Sequence, residues 1–113
     1  MKFIVLGHAN KDTEAGVLPS TEEFDRMGKF IGELVKAGVF VAGEGLQPSS
    51  KGARITFGKA GKTSIKNGPF TESKELIGGY VVVSADSLDA ADRLALLYID
   101  AVQADEVDVR ELE

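Results

Sequence analysis

Apolar positions fall into two patterns along the chain: short unbroken runs, and longer stretches where they recur every three or four residues. Residues 2–8 read as a strand. Phe3, Ile4, Val5 and Leu6 are apolar in succession, as in a strand buried on both faces. The polar segment from Ala9 to Pro19 is long for a connection in a compact domain, which marks it as a lid or binding loop. Ser20 and Glu23 have the spacing of a capping box. Phe24, Met27, Phe30, Ile31, Leu34 and Val35 then recur at helical spacing. Lys36 suits the negative end of the helix dipole, and Gly38 supplies a left-handed stop.

Val39 to Ala42 begin a second strand that ends at Gly43-Glu44-Gly45. Residues 53–57 and 62–66 alternate around the turn Gly58-Lys59-Ala60-Gly61, giving a hairpin with one wet face. Asn67-Gly68-Pro69 is a turn signal, with Asn67 and Gly68 suited to left-handed conformations. Gly79 to Val83 form another two-sided apolar strand. Asp86 or Ser87 caps a second helix whose inner face reads Leu88, Ala91, Leu94, Ala95, Leu97 and Tyr98. A last strand covers about 106–112, with Val107 and Val109 inward.

This order is β-α-β, hairpin, β-α-β. Without the hairpin it is the ferredoxin-like split β-α-β plan, an α+β fold with both helices on one face of an antiparallel sheet. The other face would then expose an apolar surface of roughly 400 Å², from four strands about 4.8 Å apart. A second copy of the sheet, applied through a two-fold contact, is its simplest cover, so a homodimer is expected. The alternative is that the hairpin folds back over this face.

The chain has 113 residues, one domain's worth, with no cysteine and one histidine. Disulfides, thiolate metal sites and a three-histidine zinc site within one chain are therefore excluded, and no metal or cofactor is expected. Phe3 to Leu6 are too few for a signal peptide or a membrane span, so a cytoplasmic home away from membranes is expected. A net charge of -5 argues against nucleic acid as a partner. Charge is unevenly spread, however. Lys51, Arg54, Lys59, Lys62 and Lys66 lie in a stretch with no acidic residue. This basic hairpin suits an anionic ligand or a partner's acidic C-terminal strand; its structural reading is an edge protected by lysines.

Two motifs fail on inspection. Gly58 to Thr63 ends like a phosphate-binding loop, but the motif needs glycine where Thr56 stands and a helix where a strand is expected. Gly43-Glu44-Gly45 lacks the third glycine of a dinucleotide fingerprint. Any Ser/His/Asp triad would have to use His8.

Five residues are candidates for a site. His8 ends the first strand beside the long loop and can donate, accept or shuttle a proton near neutral pH. Glu44 and Gln47 follow the second strand and can hydrogen-bond a small polar ligand at a cleft mouth. Arg26, on the first helix, can reach a carboxylate. Lys74, with Glu72 and Glu75, can rim the cleft. Turn chemistry and solvated helix faces are the structural alternatives for these residues.

Gly43-Glu44-Gly45-Leu46-Gln47-Pro48, Asn67-Gly68-Pro69-Phe70, Glu72-Ser73-Lys74-Glu75 and Gly78-Gly79-Tyr80 together resemble the DGPF group of YCII-related proteins, with matching spacing along almost the whole chain. The resemblance implies a dimeric α+β barrel with clefts between two ferredoxin-like sheets. Asn67 stands where the group has its namesake Asp. Residues 20–36 contain no histidine, so the helix His with its Asp partner, proposed as the active site of the better-known YCII branch, has no counterpart.

Two classes of function follow. One is a binder of a small polar organic ligand in a cleft between sheet, first helix and loop 9–19. The other is a cofactor-independent enzyme using His8 with a carboxylate such as Glu44 for acid–base work, provided both lie at one end of the sheet. A third reading is a protein-interaction module linked to transcription regulation, because some members of the group are encoded beside sigma factors.

Overall fold

The computed structural model describes residues 1–70 and 76–113. In chain order its elements are strand β1 (Lys2–His8), helix α1 (Lys11–Glu14), helix α2 (Thr21–Lys36), strands β2 (Phe40–Gly45), β3 (Ala53–Phe57), β4 (Thr63–Asn67) and β5 (Ile77–Ser84), helix α3 (Leu88–Val102) and strand β6 (Val107–Glu111). Strands β2, β5, β1 and β6 lie side by side in that order, with every pairing antiparallel. This is the ferredoxin-like arrangement expected from the element order.

Helix termini follow their local chemistry. The Ser20 hydroxyl accepts from the Glu23 amide at 3.2 Å, and the Ser87 hydroxyl from the Ala90 amide at 3.1 Å. Gly38 takes φ +73° just past α2. The segment after β1 is not all loop. Asn10 and Thr13 form a reciprocal capping box that starts the single turn α1.

Phe3, Val5, Val81 and Val83 point to the helix side of the sheet and are fully buried against Phe30 and Leu34 of α2 and Ala91, Ala95, Tyr98 and Ala101 of α3. Each large side chain buried there contributes about 1.5–3 kcal/mol. Both helix stripes are narrower than the spacing suggests. Phe24 lies with Val35 at the edge of the α2 stripe, about 120° round the helix from Phe30, and is 70% exposed. On α3, Leu88 and Leu97 are exposed, and small alanines form most of the buried line. Leu97 is turned about 100° from Tyr98, which takes it off the sheet.

The Tyr98 ring meets Phe30 edge-on, with centroids 5.7 Å apart. A Cβ on Gly7 would come within 3.0 Å of the Tyr98 hydroxyl, so the sheet admits this ring only where β1 lacks a side chain. Burial pushes the Tyr98 hydroxyl above its ordinary 10.0. The folded state therefore favours the neutral phenol. Its contribution is fully present below pH 10 and falls as pH rises through the elevated folded value. Urea midpoints measured between pH 8 and 11 are expected to decline at the alkaline end, and Tyr98→Phe should flatten that decline.

The hairpin departs from expectation. Its strands pair with each other, Ile55 opposite Ile65, and form a separate two-stranded sheet with every residue exposed. It has two wet faces, and the apolar one carries Phe57, Ile55 and Ile65 at 82%, 61% and 67% exposure. The radius of gyration is 15.8 Å, against about 13 Å for a compact chain of this length. The thinnest dimension, 19 Å, is that of one sheet and one helix layer. The hairpin therefore projects from the sheet and leaves the face opposite the helices open.

Candidate functional site

The open face is built from the alternate residues of the same strands. Ile4, Leu6, Tyr80 and Val82 form its apolar centre. Lys2 and Ser84 bound it at one end and Arg110 stands beside Ile4 on β6; a second polar group stands at the other end. Register places Glu44 opposite Tyr80, Tyr80 opposite Leu6, and Leu6 opposite Asp108, so these four cross the face in one row. His8 follows Leu6 on β1, and its Nε2 lies 3.0 Å from Asp108 Oδ2. The imidazole N–H donates to the carboxylate, a contact that fixes the ring and assigns the acceptor role of a neutral imidazole to Nδ1. His8 is half-buried and Asp108 exposed.

His8 and Glu44 share this end and this face, but β5 runs between their strands, a separation of about 10 Å by strand spacing. The histidine's carboxylate partner is Asp108, which the sequence reading did not single out. The signal was present in the alternation Val107-Asp108-Val109-Arg110 and in the edge position that the ferredoxin-like plan gives the last strand, beside the first. A His–Asp pair beside a phenol and a second carboxylate can orient a polar ligand, and can take and return a proton.

Gln47 belongs to a different place. With Glu14, Leu46, Pro48, Ser49, Phe70 and their neighbours it lines an open, mainly apolar cavity of about 320 Å³ at the hairpin base. The α1 segment contributes to this cavity; helix α2 does not. Glu14 accepts hydrogen bonds from the Ser49 amide and hydroxyl, and the Ser49 hydroxyl accepts from the Phe70 amide at 3.0 Å. Arg54 stacks its guanidinium 4.3 Å above the Phe70 ring. These contacts tie α1, the hairpin base and the Gly68-Pro69-Phe70 turn together. Gly68 is required there for closeness and not for a left-handed φ, because a Cβ would overlap the Ser49 carbonyl. Ser49→Ala is expected to cost about 1–2 kcal/mol and to speed amide exchange at residues 49–52 and 70, as read by hydrogen-exchange mass spectrometry.

Arg26 is half-buried on α2, and its Nε is buried with no hydrogen-bond partner among the described residues. Lys74 lies outside the described residues. No group of three or more His, Asp or Glu converges as a metal site among the described residues, and no helix there is long and apolar enough to cross a membrane.

An antiparallel sheet backed by two helices defines an α+β ferredoxin-like domain, and the polar cluster on its bare face is a candidate site. The YCII-related domain matches residues 1–111, and the chain belongs to that family. None of the curated proteins matches it. A solved structure of 5-chloro-2-hydroxyhydroquinone dehydrochlorinase from Burkholderia phenoliruptrix AC1100, in complex with 2,5-dihydroxybenzoquinone, is similar with a TM-score of 0.52. The match has 14% identity and covers 100% of this chain and 94% of that one, a likeness of fold.

Proposed function

We propose that this protein binds a small polar organic molecule on the open face of its sheet, at the end marked by His8, Asp108, Tyr80 and Glu44, and that it works as a homodimer of the DGPF group. The observation that carries the reading is the His8–Asp108 contact at 3.0 Å at one end of a face whose centre is apolar. A flat apolar floor with a few convergent polar groups suits a small planar ligand bearing hydroxyl or carbonyl groups. The dimer is supported by the uncovered sheet face, and the group by the Gly68-Pro69-Phe70 run and the spacing of the motifs around it. Asn67, in place of the group's Asp, ends β4 at the base of the hairpin.

The same contact supports a second reading, cofactor-independent acid–base turnover with His8 as the proton carrier and Asp108 as its orienting partner. Because the chain has one histidine, its imidazole signal in a proton–nitrogen NMR spectrum reports this site alone. Titration with a panel of small hydroxyquinones, phenols and hydroxy acids, with 2,5-dihydroxybenzoquinone as one probe, is expected to shift that signal saturably for at least one class. A signal unmoved by the whole panel would refute the binding reading. Consumption of the bound compound, abolished by His8→Ala, would select turnover over binding alone.

A further inference from the structure

A two-stranded hairpin is marginal in water, yet this one displays Phe57, Ile55 and Ile65 on a face that nothing among the described residues covers. The open sheet face is the other apolar surface, its side chains shielding one another so that Ile4, Leu6 and Tyr80 are half-buried and Val82 is 9% exposed. Two such sheet faces pressed together would bury about 800 Å², short of the 1,200–2,000 Å² of a stable interface. Adding both hairpins, each laid by one face on the partner, raises the total to roughly 1,400 Å².

Charge selects the arrangement. Stacked sheets can be related by a two-fold axis along the strands, which sets β2 of one copy over β6 of the other with the His8 ends together. An axis across the strands would instead set β2 over β2 with the His8 ends apart. The hairpin leaves the sheet between the end of β2 and the start of β5, which is the His8 end. Its Arg54 and Lys66 stand opposite each other on the face away from Phe57, and Lys62 lies at its tip. The β6 edge carries Asp105, Glu106, Asp108, Glu111 and Glu113 against the single cation Arg110. The axis along the strands brings the hairpin tip with Lys62 to the acidic edge, where His8 and Asp108 sit, while Arg54 and Lys66 face away from the partner.

We infer that the β3–β4 hairpin is an arm that docks on a second copy of this chain and supplies Phe57, Ile55 and Ile65 as an apolar roof over the partner's His8–Asp108 pair. Each ligand site is then shared between two chains. The roof excludes water from the pair and accounts for an exposed apolar arm in a chain that is otherwise net acidic. This inference rests on the homodimer reading and deepens it.

The test mixes isotope-labelled and unlabelled copies of the full chain. Isotope-filtered NOEs are expected between Phe57 or the isoleucine methyls of one copy and His8, Leu6 or Tyr80 of the other. Phe57→Asp on the unlabelled copy is expected to move the labelled His8 signal and to raise the dimer dissociation constant at least about tenfold. Phe57 is so exposed in the single chain that the variant should fold, which circular dichroism checks. A dimer whose hairpin contacts only its own chain would overturn the arm and leave the dimer standing. A monomer by analytical ultracentrifugation at micromolar concentration would overturn both. Ligand binding is read separately, by the His8 titration above.

Discussion

Asp108→Asn is expected to keep the fold and weaken ligand binding by about tenfold to a hundredfold. Asp108 is exposed, and no core residue depends on it, so the thermal midpoint should barely move. Its carboxylate accepts the His8 N–H, and in so exposed a pair that contact contributes only about 0–1 kcal/mol to stability, so its loss is read in how the ring meets a ligand. An amide in its place can turn either its oxygen or its nitrogen toward the ring, so it no longer selects one imidazole tautomer. The check is the titration of the single imidazole signal with whichever probe binds the unaltered chain. If the protein turns its ligand over, the same substitution should lower the rate about a hundredfold or more while binding falls less. Unchanged affinity and unchanged rate would remove Asp108 from the site.

Phe30→Ala should give the largest loss of stability, about 3–5 kcal/mol. The ring is 5% exposed and packs edge-on against Tyr98 between sheet and helices. Its removal leaves a cavity under α2 that the stiff strands β1 and β5 cannot fill. For a chain with a total stability of about 5–15 kcal/mol, that loss is a large fraction. Phe24→Ala on the same helix is expected to cost less than about 0.5 kcal/mol, because that ring already faces solvent. Urea unfolding of the two variants side by side separates a packed phenylalanine from one that shares only its spacing. Equal losses would mean that Phe24 is covered in solution.

Those two phenylalanines mark the reach of a sequence pattern. Spacing puts both within the apolar stripe of α2, but at its opposite edges, about 120° apart round the helix. The distinction comes from where the helix lies over the sheet. Glu44 gives a similar lesson. The sequence put it at the end of the second strand; the structure sets it within β2 on the face of His8, with β5 between them. The histidine's partner is 100 positions away in the chain, on a strand whose alternation was visible and whose neighbour was not. The hairpin was legible as two paired strands, whereas its projection away from the sheet was not.

By itself the chain determined its element order, its helix caps and the two-sided apolar character of β1 and β5. These depend on neighbouring residues, through backbone sterics, capping hydrogen bonds and a burial period of two or 3.6. Tertiary structure alone decided that Asp108 meets His8, that Gly68 lies against the Ser49 carbonyl, and that Phe57 is left bare. Each depends on which distant segments are laid side by side, and that choice is made by the burial of the whole core, not by any window of sequence.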